Sequence, residues 1–185
     1  TDRGSMVQLN TTVFASGSGN SLLFGQGRAW QLVSKQRAYP TLELPGGVRS
    51  VKFSPDGQLF VAQNIRGLAS VAKIWDAETL AEVRAFKLPQ SGTVSRFSPD
   101  GVFVAVGCQD GNVRVWNVKS GESQAIMVLG GSVSDIQYTP NGKTLVASTT
   151  SGRIRAFDAV TGYGLHDAWD IQAYQFEVDD HNGAL

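Results

Sequence analysis

The chain has 185 residues, 42% hydrophobic and 17% charged, with 21 glycines and a formal net charge of zero from 16 Lys and Arg against 16 Asp and Glu. Balanced charge disfavours a non-specific nucleic-acid binder, which carries a basic excess. A single cysteine, Cys108, excludes an intrachain disulfide framework and suits a reducing compartment, so a cytoplasmic protein is expected. No apolar run reaches the roughly 20 residues that cross a bilayer, so no membrane partner is expected.

Residues 1–5 read as a tag or cloning remnant and are set outside the fold. Thr12 to Ser16 is a strand by its alternation and its Val, Thr and Phe content. Ser21 to Gly27 is open between a loop and a short strand. Arg28 to Val33 is a further strand, and Ala38 to Leu44 another, with Pro40 marking an edge. Val48 to Phe53 then opens a longer pattern. The turn Ser54-Pro55-Asp56-Gly57 follows, in which Pro presets φ and Gly takes a position open to positive φ. Gln58 to Gln63 is the next strand, Asn64 to Ala69 a loop, Val71 to Trp75 a strand, and Glu82 to Leu88 another after the turn at Asp76 to Thr79.

That pattern returns from Thr93 to Leu129, with Pro99, Asp100 and Gly101 in the turn and Asp110 and Trp116 after it. It returns again from Val133 to about Trp169, where Phe157 stands for the Trp. Ala173 to Val178 resembles the opening strand of one more copy. Ser54 to Ser98 is 44 residues, Ser98 to Thr139 is 41, and both Trp75 to Trp116 and Trp116 to Phe157 are 41. A period of about 40–45 with four strands per unit is that of propeller blades. A sandwich gives no reason for one turn and one aromatic to return at fixed spacing. The expected fold is therefore all-β, a propeller of about four four-stranded blades in this chain. The expected divisions are a partial blade over 6–44, blades over 46–88, 91–129 and 132–170, and a terminal strand over 173–178.

The chain resembles the WD-repeat β-propellers over essentially all of Met6 to Leu185. The residues that carry the resemblance are FSPDG at Phe53 to Gly57 and at Phe97 to Gly101, IWD at Ile74 to Asp76, and DGNVRVWN at Asp110 to Asn117. A degenerate copy has YTPNG at Tyr138 to Gly142 and RAFD at Arg155 to Asp158. Blades of that family commonly carry Gly-His before the first strand, the His joining an Asp, a Ser and a Trp in a hydrogen-bond network. Here those positions read Gly46-Gly47, Ser91-Gly92 and Gly130-Gly131, so packing is expected to hold the blades.

In the family's terms each blade has strands A to D, with A innermost. The sequence reads as B-C-D, then A-B-C-D three times, then a lone A. Family rings usually have seven or eight blades. Closure is therefore expected through a homodimer or a completing chain, with a four-bladed monomer as the alternative.

No catalytic, metal or cofactor constellation emerges, and no enzyme is expected. His166 and His181 sit in no motif. Asp179 to Asn182 lack alternating ligand spacing with a closing Glu. Cys108 has no His or basic neighbour in sequence to lower its pKa. The expected function is a non-catalytic scaffold presenting loop faces to protein or peptide partners. The alternative is a structural propeller segment within a larger assembly, and nucleic-acid binding ranks below both. The resemblance puts the D–A and B–C loops around the channel mouth, where the family often binds peptides. The partner-binding positions are then Arg49, Thr93, Ser134 and Gln172 at the starts of A strands, with Asn64, Arg66, Gln109 and Thr149 in B–C loops. Asp110 is expected to stabilise its own turn.

Overall fold

The computed structural model describes residues 12–15, 21–26, 29–34, 37–38, 42–43, 48–64, 70–165 and 169–170, with side chains at 23, 50–63 and 70–165. Four antiparallel sheets follow one another along the chain, with no helix among the described residues. The first holds β1 (Thr12–Ala15), β2 (Ser21–Gln26), β3 (Ala29–Ser34) and β4 (Arg37–Ala38) in that order, with β5 (Leu42–Glu43) also paired to β3. The second is β6 (Val48–Phe53), β7 (Leu59–Asn64), β8 (Ser70–Asp76) and β9 (Glu82–Leu88). The third is β10 (Gly92–Phe97), β11 (Phe103–Cys108), β12 (Asn112–Asn117) and β13 (Ser123–Val128). The fourth is β14 (Val133–Tyr138), β15 (Thr144–Thr149), β16 (Arg153–Asp158) and β17 (Trp169–Asp170).

Each sheet is a simple meander, and its first strand lies beside the first strand of the next. The inner strands run β1, β6, β10, β14. One expectation needs correcting here. The sequence leaves the first unit with three strands and no inner one. The structure makes Ser21–Gln26 a full strand paired with both β1 and β3, so β1 occupies the inner position beside β6. The run SLLFGQ hides this because it lacks clean alternation, and Leu23 in it is completely buried. A C-terminal strand is therefore not needed to supply that position. The strand expected over 173–178 lies outside the described residues.

Alternation along each strand builds the core between sheets rather than within them. Val61, Ala72, Ile74, Phe86 and Leu88 of the second sheet meet Phe97, Val104, Val106, Trp116 and Val118 of the third. The next seam joins Ala105, Val113, Val115, Ala125 and Met127 to Ile136, Leu145, Ala147 and Phe157. The recurring C-strand aromatic sits against the preceding sheet each time. Trp75 clusters with Leu23, Trp116 stacks on Phe86 at 4.8 Å, and Phe157 packs with Ala125 and Met127.

The A–B turn is one structure built three times. Ser98 Oγ donates to Asp100 Oδ1 and accepts from Phe103 N at 2.9 Å, while Val102 N donates to Asp100 Oδ1 at 3.0 Å. Ser54 with Asp56 and Thr139 with Asn141 make the same bonds. Gly101 closes its turn at φ 72°, a conformation that favours glycine.

The inner ends of the seams lock by size. A Cβ on Gly107 would lie 2.5 Å from Val133 Cγ1. One seam earlier the pairing is inverted, since a Cβ on Gly92 would lie 2.8 Å from Gln63 Oε1. Small faces large in both, with the order exchanged. Gly107→Ala is therefore expected to destabilise by about 1–3 kcal/mol through overpacking. Val133→Ala should relieve the clash, so the double variant loses less than the two single losses added together. Urea denaturation of the four proteins measures the coupling; strictly additive losses would disprove the lock.

Candidate functional site

The two ends of the sheets differ in how they are held. At one end lie the A–B and C–D turns. The C–D turns repeat one device: Asp76 Oδ1 accepts from Glu78 N at 2.9 Å and Thr79 N at 2.7 Å. Asn117 does the same for Lys119 and Ser120, and Asp158 for Val160 and Thr161. The signal for these holders is in the sequence, an Asp or Asn followed three residues later by Thr or Ser, and the sequence reading took only the turn from it. Between the A–B and C–D turns of the third sheet lies an open groove of about 700 Å³, lined by Asp100, Val102, Asn117, Lys119, Ser120 and Glu122 among others.

At the other end the D–A and B–C connections meet. A Cβ on Gly111, in the third sheet's B–C turn, would lie 2.7 Å from Gly131 N in the next D–A connection. Backbone meets backbone here, and Gly130-Gly131 leaves no side chain to intervene. The B–C turns of the third and fourth sheets are held differently. In the third sheet Asp110 and Arg114 form a two-pronged ion pair, Nη1 to Oδ1 at 3.1 Å and Nη2 to Oδ2 at 2.6 Å, and Asn112 N also donates to Asp110 at 3.1 Å. In the fourth, Thr149 Oγ1 meets Ser151 Oγ at 2.9 Å and accepts from Arg153 N at 3.1 Å. The acid that the family would give to a histidine is thus taken by an arginine of its own sheet, and the next sheet uses two neutral hydroxyls.

The positions expected to meet a partner separate into groups. Gln109 is exposed at this end, its backbone N–H donating to Ser91 O at 3.0 Å. Thr93 and Ser134 are part-exposed; Thr93 Oγ1 donates to Gly107 O at 3.1 Å, and Ser134 Oγ pairs with Ser148 Oγ at 2.9 Å. Thr149 is buried and spent on its turn, so Thr150 is the exposed hydroxyl beside it. Arg49 and Asn64 are placed on β6 and β7 by backbone, while Arg66 and Gln172 lie outside the described residues. Two arginines tie the fourth sheet to the third. Arg153 Nη1 donates to Leu129 O at 3.2 Å, and Arg155 Nη1 to Val128 O at 2.6 Å.

Among the described residues no group of His, Cys, Asp and Glu is gathered as metal ligands would be. Cys108 is fully buried, and burial pushes its thiol pKa up, away from thiolate chemistry.

Hydrogen bonding from Arg114 holds the Asp110 carboxyl below the usual range. A depressed folded pKa contributes stability that is present above the unfolded value of about 3.9 and is lost as pH falls through the folded one. Asp110→Asn is therefore expected to cost about 2 kcal/mol at pH 7, with the gap from the parent closing on acidification to about pH 2. Chemical denaturation at both pH values checks this; a gap that stays constant would separate Asp110 from the acid response.

The profile of the WD domain, G-beta repeat family matches residues 39–76, 83–117 and 123–158, together more than half of the chain. Each match begins at or near an outer strand and ends with the C strand of the following sheet. Human apoptotic protease-activating factor 1 is 28% identical over 149 residues, 75% of this chain and 12% of that protein. WD repeat-containing protein SL1-17 of Schistosoma mansoni is 30% identical over 118 residues, 63% of this chain and 38% of that protein. Eukaryotic translation initiation factor 3 subunit I of Coccidioides immitis is 36% identical over 80 residues, 40% of this chain and 24% of that protein. The chain thus spans well under half the length of each of these relatives. The repeated sheets, their shared turns and the three matched repeats make this chain a member of the WD-repeat family.

Proposed function

We propose that the chain is a non-catalytic protein-interaction scaffold whose working surface is the end carrying the D–A and B–C connections. The observation that carries this reading is the contrast between the two ends. The A–B and C–D turns are held by the same bonds in all three full repeats. The other end is held by an ion pair in one sheet and by hydroxyls in the next. It presents Gln109, Thr93, Ser134 and Thr150, side chains that differ from sheet to sheet. A rim of unlike polar groups on a rigid frame suits recognition of an irregular partner such as a peptide segment. The buried thiol of Cys108 suits a reducing compartment, and we place the scaffold in the cytoplasm.

Affinity capture with quantitative mass spectrometry tests the scaffold reading. Gln109→Glu combined with Arg66→Glu should reduce recovery of captured proteins about tenfold, whereas Lys119→Glu at the opposite end should leave it unchanged. Recovery lost only with Lys119→Glu would move the working surface to the other end.

A further inference from the structure

The A–B turn keeps one structure in three repeats, but one residue in it differs. Asp56 and Asp100 stand before the turn glycine in the second and third sheets, and Asn141 stands there in the fourth. Asn141 is exposed, and Gly142 follows it at φ 71°. In an Asn-Gly pair the glycine nitrogen can attack the preceding carboxamide, because glycine has no side chain to shield it. A second such pair, Asn182-Gly183, lies outside the described residues.

The reaction needs no co-reactant but water. Gly142 N gives up its proton and attacks Asn141 Cγ. The new C–N bond closes a cyclic imide, and Nδ2 leaves as ammonia with that proton. Water then opens the ring. Attack at Cγ gives aspartate, and attack at the Asn141 backbone carbonyl gives isoaspartate. Nothing is oxidised or reduced.

The folded turn withholds this chemistry. Gly142 N donates to Thr139 O at 2.8 Å, so a deprotonated nitrogen there would face a carbonyl oxygen. Asn141 Oδ1 accepts from Thr139 Oγ1 at 2.8 Å and from Lys143 N at 2.9 Å, which fixes the carboxamide. Cyclisation needs the nitrogen and Cγ aligned, so these three bonds must open first. Thr139 is buried and also accepts from Thr144 N at 3.0 Å, which ties the turn to the hairpin of β14 and β15.

The aspartate product is one the fold already uses. Asn141 Nδ2 has no partner among the described residues, so its loss breaks no bond. A carboxylate would take the same two donors, as Asp100 takes Ser98 Oγ and Val102 N. A charged acceptor strengthens both bonds. Isoaspartate instead adds a backbone atom inside the turn and lengthens the path from Thr139 to Thr144.

We propose that Asn141-Gly142 is a covalent modification site, closed while its hairpin is folded and open when the hairpin loosens. Its aspartate product rebuilds the turn of the other two repeats. The site lies among the A–B turns, at the end opposite the proposed working surface, and is independent of the scaffold reading.

Timed incubation of the full chain in mildly alkaline buffer, with and without urea, provides the test. Peptide mapping with fragmentation that separates the isomers reads position 141. In urea Asn141 should convert to both aspartate and isoaspartate, and without urea conversion should be at least about tenfold slower. Thr139→Val, which removes the hydroxyl bonds, should speed the native conversion about fivefold and leave the rate in urea unchanged. Asn141→Asp should unfold at no lower urea concentration than the parent. An Asn141 that stays unconverted in urea overturns the site. Equal rates with and without urea, or a native rate untouched by Thr139→Val, overturn the gate. An Asn141→Asp midpoint below the parent's overturns the rebuilt turn.

Discussion

The structure depends on sheets packing face to face in series. A single four-stranded sheet has two faces and cannot bury either alone. In this chain successive sheets close on one another at three seams, and each seam is a separate small core. The stacking requires each sheet to present apolar side chains on alternate positions to both neighbours. That is why Val104 and Val106 turn one way on β11 while Ala105 between them turns the other. The aromatic on the third strand of each repeat is the largest of these side chains and always reaches back to the sheet before it. Its fixed spacing in the sequence is the trace of that contact.

From this constraint the rest of the local chemistry follows. Adjacent sheets must splay from a common inner edge, and there the strands come closest. Space is shortest at that edge, and at two seams the chain meets it with glycine on one side and a larger residue on the other. Gly107 faces Val133, and Gly92 faces Gln63. The rule is complementary volume rather than a particular residue, which lets the two seams satisfy it in opposite order. At the outer edge the sheets diverge, and side chains that span the gap replace close packing. Arg155 and Gln124 reach carbonyls on the neighbouring repeat, at Val128 and Val160.

Much of the architecture was legible before any coordinates. The FSPDG turn, the aromatic spacing and the alternation are local features, and the three full units follow from them. The first unit was less legible, because SLLFGQ has no alternation and sits between glycines, so β2 stayed open between a loop and a short strand and β1 lost its inner place. The lack of the family's histidine was also visible, but its consequence was not. Nothing in the spacing of Asp110 and Arg114 requires them to pair, since four residues across a turn can point apart; the tight turn at Gly111 brings them together.

The two ends of the repeat answer to different demands, and this is why function is sought at one of them. An A–B or C–D turn needs a side-chain acceptor at a set distance from two backbone N–H groups, and Asp or Asn meets that need without help from the next sheet. Such a turn is self-contained, and it repeats because nothing in its neighbours changes the requirement. The B–C turn leans on the following D–A connection, backbone against backbone at Gly111 and Gly131. Its own polar groups are then free to be satisfied in several ways, an ion pair in one repeat and paired hydroxyls in another. A position with several acceptable solutions can change without unfolding the sheet behind it. Divergence therefore collects at the end where the frame constrains it least, and that is the end we propose as the working surface.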